Sequence, residues 1–132
     1  MKKADGYRQR VGKQGEDEAV HYLESQGYQI LERNFRVNRG EIDIVARDGD
    51  TLVFVEVKTK IRGGFGEPED RVDRRKQVQL GKVALGYLQE KRVENRDCRF
   101  DVVAVTKEAQ ETKIRHIEDA FWLDSEELEG SF

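Results

Sequence analysis

One cysteine, one proline and no long apolar run set the first limits on this chain. With a single thiol, Cys98, no internal disulfide can form, and 132 residues suffice to bury a core without one. A buried structural thiol beside Phe100 is the expected role of Cys98, since neither His21 nor His116 is placed to suggest a dyad. The longest apolar runs, 52–55 and 102–105, span only a few residues, too few to cross a membrane. The opening MKKADGYRQR is basic but lacks the apolar segment of a signal peptide, which predicts a soluble cytoplasmic protein. Repeats and low-complexity linkers are also missing, which predicts one domain over 1–121 followed by an acidic tail over 122–132.

Excess positive charge is lacking as well; the formal net charge is −3. The distribution says more than the sum. Residues 108–132 hold two basic and eight acidic side chains, whereas 1–107 hold 22 basic and 19 acidic ones. The body is therefore mildly basic, which permits phosphate binding without demanding it.

Glu16, Ala19, Val20 and Leu23 follow helical spacing, which predicts a helix over 12–26 stopped by Gly27. A strand is predicted over 28–37. Next comes GEIDIVARDGDTLVFVEVKTK, two alternating β-branched runs around Asp48-Gly49-Asp50, the signature of a hairpin. A loop over 61–70 holds Gly63, Gly64, Gly66 and Pro68; these glycines make no nucleotide-binding fingerprint and predict a loop near a substrate. A helix over 73–91 follows, with Val78, Gly81, Ala84, Leu85 and Leu88 as its stripe. A buried strand is predicted over 100–106, a short one over 113–117, and a frayed or loosely helical end over 124–132. The order is α-β-β-β-α-β with an extra strand.

The hairpin does not add up as packing alone. Strand alternation puts Ile42, Ile44 and Ala46 with Val53, Val55 and Val57 on one apolar face. The other face carries Glu41, Asp43, Val45 and Arg47 opposite Leu52, Phe54, Glu56 and Lys58, apolar near the turn and charged at the far end. If Asp48-Gly49 forms a two-residue turn, Arg47 pairs with Asp50, Glu56 faces Glu41, and Asp43 is the diagonal neighbour at roughly 7–8 Å. Clustered carboxylates repel and resist desolvation, and a divalent cation relieves both problems. Hard oxygen ligands favour Mg2+ or Mn2+. A cross-strand ion pair of Lys58 with Glu41 or Asp43 is the plainer alternative.

The spacing Asp43…Glu56-Val57-Lys58 resembles the signature of the PD-(D/E)XK, or restriction-endonuclease-like, nuclease superfamily. More specifically, the chain resembles the YraN family of small, uncharacterised bacterial proteins. The resemblance runs through Gly12-Lys13-Gln14-Gly15-Glu16, Arg33-Asn34-Phe35-Arg36, Gly40-Glu41-Ile42-Asp43 and Val53-Phe54-Val55-Glu56-Val57-Lys58. It continues through Phe65-Gly66-Glu67-Pro68, Lys76, Arg99-Phe100-Asp101-Val102-Val103, His116-Ile117 and Ala120-Phe121. It implies a restriction-endonuclease-like α/β fold, a mixed central sheet flanked by helices, and relatedness to Holliday-junction resolvases. The superfamily's proline before the first Asp is Ile42 here.

By that resemblance Asp43, Glu56 and the Val57 carbonyl would hold the metal, and Lys58 would orient water and steady phosphate charge. Glu16 points along the buried helix stripe and is a further metal or water ligand by analogy; a plain helix-dipole role is the alternative. Glu41 is either a second metal-site acid or a partner of Lys58. Arg36, Arg39, Arg75 and Lys76 are candidate DNA-backbone contacts, with a solvated basic face as the alternative. Asp101, on an apolar strand, is expected to satisfy a structural hydrogen bond. The function expected is metal-dependent DNA endonuclease activity on branched or damaged DNA in repair or recombination. The alternative is a non-catalytic nucleic-acid-binding or assembly module of the same fold. A homodimer is expected only by analogy with resolvases.

Overall fold

The computed structural model describes residues 2–37, 39–61 and 72–129. Its spine is strand β3 (Thr51–Ile61), whose first half alternates apolar side chains to both faces. Leu52 and Phe54 go to one side, Val53 and Val55 to the other, all at most 2% exposed. Burying each such side chain contributes roughly 1.5–3 kcal/mol. Around it lie β1 (Gln29–Val37), β2 (Gly40–Asp48), β4 (Cys98–Lys107) and β5 (Thr112–Phe121). Sequence order is also spatial order, and only β3 and β4 run parallel.

A parallel pair needs a crossover. Here it contains α2 (Arg74–Glu90), which covers the Leu52 and Phe54 side. The Asp73 side chain caps α2 by accepting from Lys76 N–H at 2.9 Å. Helix α1 (Lys2–Ser25) covers the Val53 and Val55 side through Ala19 and Leu23. This is the mixed α/β sheet flanked by helices that the element order predicts, consistent with a restriction-endonuclease-like core, and the extra strand is β5.

Several expectations need correction. Helix α1 begins at Lys2, ten residues before the expected start, because residues 2–11 hold good helix formers and no proline. The buried stripe of α2 is Leu80, Gly81, Val83, Ala84 and Tyr87, leaving Val78, Leu85 and Leu88 half-buried. Tyr87 draws the helix round, meeting Phe35 and Phe54 edge-on at 5.1 and 5.7 Å between ring centres. Cys98 is exposed, since it opens β4 at the rim of the sheet. Of the two expectations for the acidic end, frayed or loosely helical, the helical one holds over α3 (Ser125–Glu129), beside α2, with Leu123 and Leu128 against Gly81 and Arg74 paired to Glu127. The 61–70 loop, with Gly63, Gly64, Gly66 and Pro68, lies outside the described residues except for Ile61. Among the described residues no helix is long and apolar enough to cross a membrane.

Candidate metal centre

The hairpin has an even, two-residue loop, but one position later than expected. Asp48 pairs with Thr51, so the loop is Gly49-Asp50, with Gly49 at φ 60°, where a side chain would be strained. Every later rung therefore shifts by two. Ile44 thus pairs with Val55, and the regular pairing ends there. The register expected from an Asp48-Gly49 turn is thus corrected, and the Asp43 and Glu56 side chains lie in hydrogen-bond contact.

The expected face assignment also fails at one point. Ile42 packs with Val45 on the α2 side, whereas Ile44 and Ala46 pack on the α1 side. Strict alternation cannot place Ile42 and Ile44 on opposite faces. The phase changes between Ile42 and Ile44 without a register shift against β1, and the regular β2–β3 pairing ends at Ile44. The change turns Asp43 inward and lets Glu41 and Asp43 meet Glu16 from α1. One carboxylate oxygen from each of Glu16, Glu41 and Asp43 lies within 4.8 Å of the others.

Glu16 reaches this point because α1 comes unusually close to β3. A Cβ at Gly15 would overlap the Thr59 side chain, so only glycine permits the approach. Asp43 Oδ2 accepts from Val57 N–H at 2.8 Å. Burial, then the hydrogen-bonded and charged Glu56 beside it, push the Asp43 carboxyl up to about 8, against the lowering pull of Val57 N–H. Burial also raises Glu16, helped by Asp43 and Glu41 and opposed by a hydrogen bond from Asn34.

The remaining predicted residues distribute as follows. Glu56 is 13% exposed and pairs at 3.7 Å with Lys76 from the first turn of α2. Lys58 lies two residues further along β3, on the Glu56 face by alternation. Arg36 Nε donates to Glu41 Oε2 at 2.7 Å. Arg39 and Arg75 are exposed, and the Arg39 carbonyl accepts from Gln79 of α2 at 3.5 Å. Asp101 is fully buried and structural, as expected: it accepts from Arg99 Nε, shares a 2.7 Å bond with His116 Nε2, and accepts from Asp119 N–H.

Sequence reasoning gave no role to Asn34. Its Nδ2 donates to Glu16 Oε1 at 2.9 Å and to Glu41 Oε1 at 3.0 Å. The available signal was an asparagine inside a strand, a residue that tolerates left-handed backbone and interrupts β alternation.

A family model described as "Uncharacterised protein family UPF0102" matches residues 15–105. The chain belongs to this family. It is the family that the motifs resemble under the name YraN. Relatives from Syntrophus aciditrophicus and Geobacter metallireducens, each a "UPF0102 protein", are 51% and 50% identical over 114 and 117 residues. They cover 86% and 89% of this chain and 90% and 96% of their own lengths. A third, from Persephonella marina, is 45% identical over 113 residues, 86% of this chain and 94% of its own. The family match begins at Gly15 and takes in Glu16, Asn34, Glu41, Asp43, Glu56, Lys58 and Lys76.

Proposed function

We propose that this member of UPF0102 is a Mg2+- or Mn2+-dependent endonuclease that hydrolyses phosphodiester bonds in DNA, with branched or damaged DNA as its substrate class in repair or recombination. The observation that carries this reading is the convergence of Glu16, Glu41 and Asp43, with Glu56 beside Asp43, at the end of an otherwise apolar hairpin. The donor set fits a hard divalent cation: the converging ligand atoms are carboxylate oxygens, and all three residues are half-buried. Asp43, Glu56 and Glu16 would hold the ion, with Glu41 and the Val57 carbonyl as further candidates. A bound ion supplies a water acidic enough to attack at neutral pH and neutralises charge on the phosphate.

The protein's own groups do the rest. Lys58 orients the attacking water and faces the negative charge that grows on the phosphate oxygens. Lys76, from α2, adds a second positive charge beside Glu56. Arg36, Arg39 and Arg75 are the candidate contacts to flanking phosphates, which fix the strand without reading its sequence.

A non-catalytic nucleic-acid-binding or assembly module is the second reading. It is favoured by the pairing of Glu56 with Lys76 and of Glu41 with Arg36, which neutralises two acids within the fold. Cleavage of linear, single-stranded and four-way-junction DNA with Mg2+ or Mn2+ separates the two. Glu56→Ala and Lys58→Ala are each expected to lower cleavage by about 100-fold or more. Equal cleavage by wild type and both variants would sink the catalytic assignment, whereas binding without cleavage by wild type would select the module.

A further inference from the structure

We propose that Asn34 is a positioning residue of the carboxylate site: its side-chain amide holds Glu16 at the spacing that a divalent cation requires. The inference rests on the metal-site reading above. It starts from a conflict in β1. Arg33 reaches α1, donating to Asp17 at 2.7 Å, and Asn34 also reaches α1, at Glu16. Phe35 then packs on the α2 side. Two successive strand residues cannot serve one face in regular alternation. Asn34 resolves the conflict with φ 53°, in the left-handed region that asparagine tolerates better than most residues.

The slip has a counterpart next door. Arg33 pairs with Ile44 and Phe35 with Ile42, and β2 changes phase between these two rungs. Both strands therefore break alternation at adjoining rungs, and the two breaks bring Asn34 and Asp43 to the same group of acids. Left-handed backbone at a non-glycine residue is strained and persists where its surroundings enforce it.

The amide suits this place chemically. One nitrogen with two N–H donors serves two carboxylates at once and so fixes the distance between them. Glu41 is held at both oxygens, Oε1 by Asn34 and Oε2 by Arg36 at 2.7 Å. Arg36, Glu41 and Asn34 thus form a chain that ends on Glu16 Oε1, leaving Oε2 to an ion. A neutral donor orders the carboxylates without cancelling the charge that attracts a cation. A lysine in its place would compete with the ion.

Mn2+ titration, followed by loss of the free-ion EPR signal, tests this without any need for nuclease activity. Asn34→Gly keeps the left-handed backbone at no steric cost and removes only the amide. It is expected to bind Mn2+ about tenfold more weakly than wild type, the size typical of lost support for a ligand. Its thermal midpoint should stay close to the wild-type value. If Asn34 acts through Glu16, Asn34→Gly added to Glu16→Gln should weaken binding no further than Glu16→Gln alone. Wild-type Mn2+ affinity in Asn34→Gly, or fully multiplicative losses in the double variant, would overturn the proposal while leaving the metal site standing. Failure of wild type to take up Mn2+ any better than Asp43→Asn would overturn the metal site and this proposal together.

Discussion

Asp43 illustrates how one side chain can be poorly placed for stability and well placed for the proposed metal site. Burial, then the neighbouring Glu56, push its carboxyl up to about 8 in the fold, from an ordinary value of 3.8. Between those two values the folded state binds more protons than the unfolded one, so this group lowers stability as pH rises through that window. Below about pH 4 both states are protonated and the effect vanishes. Asp43→Asn keeps an oxygen to accept from Val57 N–H and removes the charge. In the presence of a chelator it should be about 0.5–2 kcal/mol more stable than wild type at pH 8.5, and close to wild type at pH 4. Urea unfolding at the two values checks this; an equal difference at both would remove the link to ionisation. Divalent ions should reverse the order by stabilising wild type alone.

At the scale of elements, the site depends on how closely α1 lies on β3. Gly15 sets that distance, because a Cβ there would overlap Thr59. Gly15→Ala is expected to destabilise the fold by about 1–3 kcal/mol through overpacking, even though alanine is the better helix former. Thr59→Ala added to it should restore part of the loss, since two of the three crowding atoms, Oγ1 and Cγ2, are then gone. Chemical denaturation of the single and double variants reads both effects, and a neutral Gly15→Ala would show that α1 has room to spare.

These elements were unequally legible. Asp48-Gly49-Asp50 between alternating runs announced the hairpin, and its loop has the two residues that an Asp48-Gly49 turn would also have. Which two residues form the turn was not legible, because aspartate is acceptable on either side of Gly49. The changes of face at Asn34 and between Ile42 and Ile44 were hidden for a different reason. Such a change of face is decided by the partner strand and the helix above it, neither of which periodicity within one strand reports. The exposure of Cys98 was missed because an apolar run does not say where its strand leaves the core. Glu16 was legible from helical spacing, whereas the closeness that brings it to Asp43 depends on Gly15.

The whole molecule is fastened on the α1 side by a polar network that crosses from sheet to helix. Asp101 binds Arg99 and His116, Arg99 reaches Tyr28 and Asp48, and His116 contacts Tyr22 of α1. Burial alone would raise Asp101, but the hydrogen bonds from His116, Arg99 and Asp119 N–H outweigh it and hold the carboxyl below its ordinary value. The sign is therefore opposite to that of Asp43. This stabilisation is complete above the unfolded-state value and is lost as pH falls through the lower folded-state value. Asp101→Asn should destabilise by about 3–5 kcal/mol at pH 7, with the gap to wild type closing in acid. Thermal unfolding from pH 7 downwards measures it, and a gap that does not change with pH would mean that packing, not charge, is at stake.

The parallel pairing of β3 with β4 has a kinetic consequence. Each rung joins residues 46 positions apart, Leu52 with Cys98 and Val57 with Val103, while the β2–β3 hairpin turns in two residues. Hairpins form in about 1–10 μs, whereas pairings across a long crossover are slow because chain entropy is lost before contacts repay it. The chain should therefore assemble the strand pair bearing Asp43 and Glu56 early. It then waits for α2 to dock before the central strand acquires its second neighbour.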